Sequence, residues 1–164
     1  DSFTTGSGDD TFDASTSGSL DTVDTIVGGT GSDTLTVAIG NESIRPDITG
    51  VETIKLTAAA DTGTVDTRDM TGVTNYDNES SAVNIVLNYL STIPTVTLNT
   101  LAADMTLNFT DAALATASQS MTLNTNNSTG TITITDGSKL AFRHLILRNF
   151  SAPRSAPNPA SVTT

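Results

Sequence analysis

The sequence predicts an all-β protein, a parallel β-solenoid or β-roll-like stack of short strands. Three observations carry that expectation. Apolar and polar residues alternate along many short segments, which is the period of a half-buried strand. Threonine makes up about a fifth of the chain and tryptophan is absent, and β-branched residues at that density favour strand over helix. No Asn-Gly or Asp-Gly pair stands between two of the strong segments, so the tight hairpins of a sandwich have no turn chemistry to start from.

Taken in order, Leu35, Val37 and Ile39 share one face of the first strong segment, and Ile54 and Leu56 share one in the next. Val83, Ile85, Leu87 and Tyr89 follow, then Val96 with Leu98, and Met105 with Leu107 and Phe109. Met121 with Leu123 and Ile132 with Ile134 complete the series. The opposite faces carry Thr and Asn, with Thr-Leu-Asn at 97–99, 106–108 and 122–124, and the connections are Gly, Asn, Asp, Ser and Ala. Short strands with outward Thr/Asn and small-residue corners suit coils of a solenoid. With one segment per rung the rung length is irregular, since Leu87 to Leu98, Leu98 to Leu107 and Leu107 to Leu123 are three different intervals. Helix has little support before residue 138.

Composition divides the chain at Gly137, giving a body over 1–137 and a tail over 138–164. All 18 acidic residues precede the break. Lys139, Arg143, Arg148 and Arg154, four of the seven basic residues, follow it, as does the lone histidine, His144. The tail is first apolar and basic, then rich in Pro, Ala and Ser. Two roles suit it: packing over the open end of the solenoid, or docking on the acidic surface of a neighbouring copy.

A net charge of −11 makes nucleic acid and anionic membrane poor partners and divalent cations natural ones. No cysteine is present, so disulfides and thiolate metal sites are excluded, and bound metal is the obvious substitute staple for a small extracellular domain. No segment approaches the roughly 20 apolar residues of a membrane-spanning helix. The chain opens at Asp1 without Met or a signal peptide, the expected form of a piece processed or excised from something longer.

The densest local signal is Gly28-Gly29-Thr30-Gly31-Ser32-Asp33-Thr34-Leu35-Thr36, which fits the nonapeptide G-G-x-G-x-D-x-U-x, U being a large apolar residue, at every position. Asp24-Thr25-Ile26-Val27 precedes it, and Gly6-Ser7-Gly8-Asp9-Asp10-Thr11-Phe12-Asp13 is a partial copy. Glycines let the backbone curl so that carbonyl oxygens share a concavity, the aspartate adds charge, and the apolar residue anchors the next strand. Calcium takes 6–8 oxygen ligands at about 2.3–2.6 Å from such mixed sets.

With Gly50-Val51-Glu52-Thr53-Ile54 following as a strand start, residues 3–57 resemble the calcium-binding RTX-type segments of bacterial surface-layer (S-layer) proteins and large surface adhesins. The resemblance implies secretion to the bacterial cell surface, a β-solenoid body, Ca2+ at these turns, and self-assembly into a lattice or adhesin array. Its ligands would be carbonyls in Gly6–Gly8 and Gly29–Gly31 with the side chains of Asp10, Asp24 and Asp33; Asp21 and Asp9 are weaker candidates. Only one complete nonapeptide is present, so one to three ions are expected rather than the dense ladder of RTX toxins. Glu52 shares the strand parity of Ile54, which leaves it at the strand's end or buried with a partner.

Catalysis has little to stand on. A Ser-His-Asp site would need His144, remote from the Asp-rich region. No Trp and two Tyr leave little aromatic platform for a sugar-cleaving cleft, and zinc lacks its ligands. The Asn-x-Ser/Thr matches at Asn41, Asn78, Asn108, Asn126, Asn127 and Asn149 are what an Asn- and Thr-rich chain gives by chance. The expectation is a non-enzymatic, calcium-dependent structural protein whose partners are copies of itself. The alternative is a binding module that turns a flat Thr/Asn face towards cell-surface carbohydrate, a host surface or ice. Its outward pairs are Thr34/Thr36, Thr95/Thr97 and Thr131/Thr133/Thr135.

Overall fold

The computed structural model describes residues 1–99, 103–115, 119–126, 128, 130–136, 145–151 and 162–163. Strands account for nearly all regular structure. They are β1 (Ser2–Thr4), β2 (Thr11–Ala14), β3 (Thr25–Val27), β4 (Thr34–Ile39), β5 (Ser43–Ile44), β6 (Asp47–Thr49), β7 (Thr53–Ala58), β8 (Gly63–Asp66) and β9 (Met70–Thr71). Then come β10 (Asn75–Glu79), β11 (Ile85–Leu90), β12 (Thr95–Asn99), β13 (Met105–Phe109), β14 (Gln119–Thr125), β15 (Ile132–Asp136), β16 (Leu145–Ser151) and β17 (Val162–Thr163). All pairings between named strands are parallel, in three sheets ordered β1-β3-β6-β9, β16-β14-β12-β10-β7-β4-β2 and β17-β15-β13-β11-β8-β5. The chain winds as an all-β solenoid of about five turns. Among the described residues no helix is long and apolar enough to cross a membrane.

Inward rows hold the coils together. Phe12, Leu35, Ile54, Tyr76, Val96 and Leu123 stand in one row of the long sheet. Ile44, Val65, Leu87, Leu107 and Ile134 form a second, and Phe3, Ile26, Ile48 and Met70 a third. Most of these side chains are fully buried, and full burial of one Leu or Ile stabilises by about 1.5–3 kcal/mol.

The register corrects the reading of rung length. From the Ile54 segment onward successive strong segments belong to alternate sheets, so Leu87 stacks on Leu107, a full coil later, and not on Leu98. The unequal intervals between neighbouring segments were parts of coils. Side chains that bond from one coil to the next are separated by |i−j| values from 19 to 27.

Two further expectations fail at single residues. Tyr89 leaves the inward face: it is 48% exposed at φ 64°, and the register shift between Leu87 and Leu90 lets Leu90 take the buried place opposite Phe109. Asn78 and Thr125 point inward although Asn and Thr were expected outside. Asn78 is tolerated there because its Oδ1 accepts the Ser81 N–H at 3.2 Å, so the buried amide is not left unpaired.

The β1-β3-β6-β9 sheet stops at β9 because residues 91–94 join β11 directly to β12, leaving no residues for another strand there. Strands β16 and β17 extend the other two sheets beside β14 and β15. Lys139, Arg143, His144 and Arg154 lie outside the described residues.

Candidate metal centre

The glycine-rich stretches form one corner of the solenoid, between the strand series β1-β3-β6 and the series β2-β4-β7. Residues 5–10 turn that corner in the first coil, 28–33 in the second and 50–52 in the third. The corners stack through their backbones. Thr5 N–H donates to the Val27 carbonyl at 2.9 Å, Gly8 N–H to Thr30 at 2.8 Å, Thr30 N–H to Gly6 at 3.0 Å and Gly28 N–H to Thr49 at 2.9 Å.

This stacking gives the glycines a reason that spacing alone did not show. A Cβ on Gly29 would lie 2.0 Å from the Gly6 carbonyl oxygen, and one on Gly31 would lie 2.2 Å from that of Gly8. Both residues also hold positive φ, 97° and 139°, which side-chain-bearing residues rarely adopt. The carbonyls of the preceding coil therefore occupy the space that any larger residue would need.

Immediately before β2, β4 and β7 stand Asp10, Asp33 and Glu52, one above another. Asp33 Oδ1 accepts the Asp10 N–H at 2.8 Å, and Glu52 Oε2 accepts the Asp33 N–H at 2.8 Å. Each lower carboxylate thus caps the backbone of the coil before it. This answers the question left open for Glu52: it is a half-buried residue at the strand's end, with its partner one coil away. Beside the ladder, Asp9 Oδ1 accepts the Ser32 N–H at 2.8 Å.

Asp33 is the unusual member. Its side chain is completely buried, and among the described residues its Oδ2 has no hydrogen-bond partner. A Cβ on Gly28 would lie 2.5 Å from that oxygen and 2.0 Å from the Gly50 carbonyl oxygen. The two oxygens therefore flank the same bare patch of backbone. A buried carboxylate oxygen without a donor is costly, and a hard cation taking oxygen ligands is one means of offsetting it.

Six of the expected ligand positions, Gly6, Gly8, Asp10, Gly29, Gly31 and Asp33, share this corner. Asp21 and Asp24 do not: they occupy the turn at the other end of β3. There Asp24 Oδ2 accepts the Asp21 N–H at 2.8 Å and Oδ1 pairs with the amino-terminal ammonium at 2.6 Å. The ammonium, followed by the Asp21 N–H, holds the Asp24 carboxyl below the usual carboxylate range. Among the described residues no three acidic or histidine side chains converge as a metal-binding group, so an ion at the Gly28–Asp33 corner would depend on backbone carbonyls for most of its ligands. The Gly6 carbonyl already accepts from Thr30, and that of Gly28 from Thr5 Oγ1 at 2.6 Å.

Motif reading missed Glu52 as Asp33's partner and Gly50 as a contributor of oxygen. A signal was present. Asp47-Ile-Thr-Gly-Val51 recurs as Asp69-Met-Thr-Gly-Val73, and the two copies stack in register, Ile48 on Met70 and Thr49 on Thr71. That repeat aligns Gly50 with Gly72, and Glu52 with Thr74 just beyond it. Comparison with protein-family models, curated proteins and solved structures finds no match for this chain.

Proposed function

We propose that this chain is a calcium-stabilised structural segment of a bacterial surface-layer or RTX-adhesin-like protein, folding outside the cell and packing against copies of itself. The observation that carries the reading is the buried, unpartnered Oδ2 of Asp33 beside the Gly50 carbonyl in a glycine-lined corner. Asp33 and corner carbonyls would hold the ion, and calcium would supply the positive charge that this carboxylate lacks. Ligands assembled only on folding convert binding energy into folding energy. Extracellular modules bind calcium at about 10⁻⁴–10⁻³ M, so the metal would favour the compact coil outside the cell. The parallel edges and high acidity suit a molecule that remains soluble until calcium allows contact between copies.

The test is electron microscopy and light scattering of the purified chain with millimolar calcium and with a chelator. Sheets or filaments that form only with calcium are expected. A monomer in both conditions, with an unchanged Tm, would remove the proposal.

A second reading, a module that binds carbohydrate or another extended surface through a flat polar face, draws on the outward rows. Asn108 Nδ2 donates to Asn88 Oδ1 at 2.6 Å, and Thr135 bonds Asn108 from the next coil. Asn126 Nδ2 donates to Asn99 Oδ1 at 2.9 Å. Amides fixed by their neighbours form an ordered polar array before any ligand arrives. Glycan-array binding by a chain that remains monomeric with calcium would favour this reading.

A further inference from the structure

The first coil is built as an interior coil. Gly29 is a glycine because the Gly6 carbonyl crowds it and its φ is positive. Gly6, its counterpart one coil earlier, meets neither condition: its φ is not in the positive range, and nothing lies within 4 Å of a Cβ placed there. Gly8 is likewise open on that side, although its φ of 115° favours glycine. At Gly6, then, the structure contains nothing that demands a glycine.

Four other features of the same end agree. Asp33 and Glu52 each accept an N–H from the coil before, while the Asp10 carboxylate, next in that ladder, makes no hydrogen bond among the described residues. The inward row that buries Ile26 and Ile48 ends in Phe3, which is 53% exposed. Behind Phe3 opens a cavity of about 380 Å³ lined by Phe12, Leu20, Ile26 and Leu35. The free edges of β1 and β2 flank it, and such edges are templates for further parallel pairing.

We infer that this end of the solenoid is a docking face for one more parallel β-coil with a Gly-x-Gly-x-Asp corner, of the kind that a coil joined in register at Asp1 would present. The added coil's corner carbonyls would lie over Gly6 and Gly8, its strands would pair with β1 and β2, and one of its N–H groups would donate to Asp10. The chain's other corner of this kind, at residues 28–33, is already covered by its own first coil, so a second copy offers no free Gly-x-Gly-x-Asp corner apart from its own first coil. The cavity's lining also includes Asp1, Asp13 and Asp24, so a coil that carries fewer acidic residues than this one would meet less repulsion there. The inference stands on packing and requires no calcium.

The register dictates the experiment. The first two coils share a constant offset: Phe3 stacks on Ile26 and Phe12 on Leu35, the same |i−j| of 23 that separates Asp10 from Asp33. A duplicate of residues 1–23 placed ahead of Asp1 therefore brings each added residue over its original, and Asp1 into the position that Asp24 holds in the next coil. A control carries a Gly/Ser stretch of equal length instead, which also removes the amino-terminal ammonium from Asp24.

The duplicated coil is expected to raise Tm by several degrees over the control and to resist limited proteolysis. Gly6→Val should be nearly neutral in the unextended chain but lower the Tm of the extended chain by about 4 °C or more. An extension cleaved as readily as the Gly/Ser control, with Gly6→Val equally mild in both chains, would overturn the inference. So would concentration-dependent dimerisation of the unextended chain that Gly6→Val abolishes, since a second copy would then be the occupant.

Discussion

Asp33→Asn separates a buried charge awaiting a cation from an ordinary turn residue, because its effect should change sign with calcium. The variant keeps Oδ1, which accepts the Asp10 N–H at 2.8 Å, and places an NH2 group where the unpartnered Oδ2 stood. The Gly50 carbonyl flanks the same point, so the new donor has an acceptor close by. Without metal, the substitution removes a buried, uncompensated negative charge and supplies a hydrogen bond. Relief of one buried unsatisfied group is worth about 1–3 kcal/mol. For a chain of this size that is a Tm rise of about 2–12 °C. With calcium the order should reverse. The native chain gains about 2.7 kcal/mol at a hundredfold excess over Kd, and the variant, lacking the charged ligand, gains little. The assay is differential scanning calorimetry of both proteins in chelator and across a calcium series. A variant that melts below the native chain in chelator would refute the assignment of Oδ2 as unpaired. Equal calcium responses would remove Asp33 from any metal site.

Two neighbouring perturbations check the corner and the pH dependence. Gly31→Val should destabilise strongly with or without calcium, because its Cβ would press on the Gly8 carbonyl at 2.2 Å and its φ is positive; thermal melts should show a loss of about 3 kcal/mol or more, whereas Ser32→Asn, on an exposed residue, should change little. At Asp66, side-chain hydrogen bonds from Arg68 hold the carboxyl below the usual carboxylate range against the opposing effect of burial. A depressed folded pKa gives stability that is present above the unfolded value of about 3.9 and is lost as pH falls through the lower folded value. Asp66→Asn should therefore flatten the acid limb of the Tm-against-pH curve, and an acid limb as steep as that of the native chain would exclude this pair as a contributor.

Alternation in the sequence was enough to determine which side chains are buried in most strands. Leu35, Val37, Ile54, Leu56, Leu107 and Ile134 all face the core, because a strand has only two faces and burying one of them decides every second residue. The absence of Asn-Gly and Asp-Gly pairs between strong segments argued against a hairpin-built sandwich, and the named strands do pair in parallel. Coil length was less legible, since each strand pairs with one a full coil away, Leu35 with Ile54 and Val96 with Leu123, while strands of another sheet intervene in the sequence. Tertiary structure alone decided the exceptions. Tyr89 was displaced by a bulge that depends on the register with β13, and Asn78, besides its local bond from the Ser81 N–H, donates from Nδ2 to the Ala103 carbonyl 25 residues on at 3.5 Å. The acidic corner divides in the same way. Its glycines and aspartate were visible as a nonapeptide, but the ladder through Asp10, Asp33 and Glu52 joins residues of three successive coils. Local sequence carries no information about which carbonyl will lie over which glycine. That is set by how successive coils stack, and the stacking is what leaves one oxygen of Asp33 buried without a partner among the described residues.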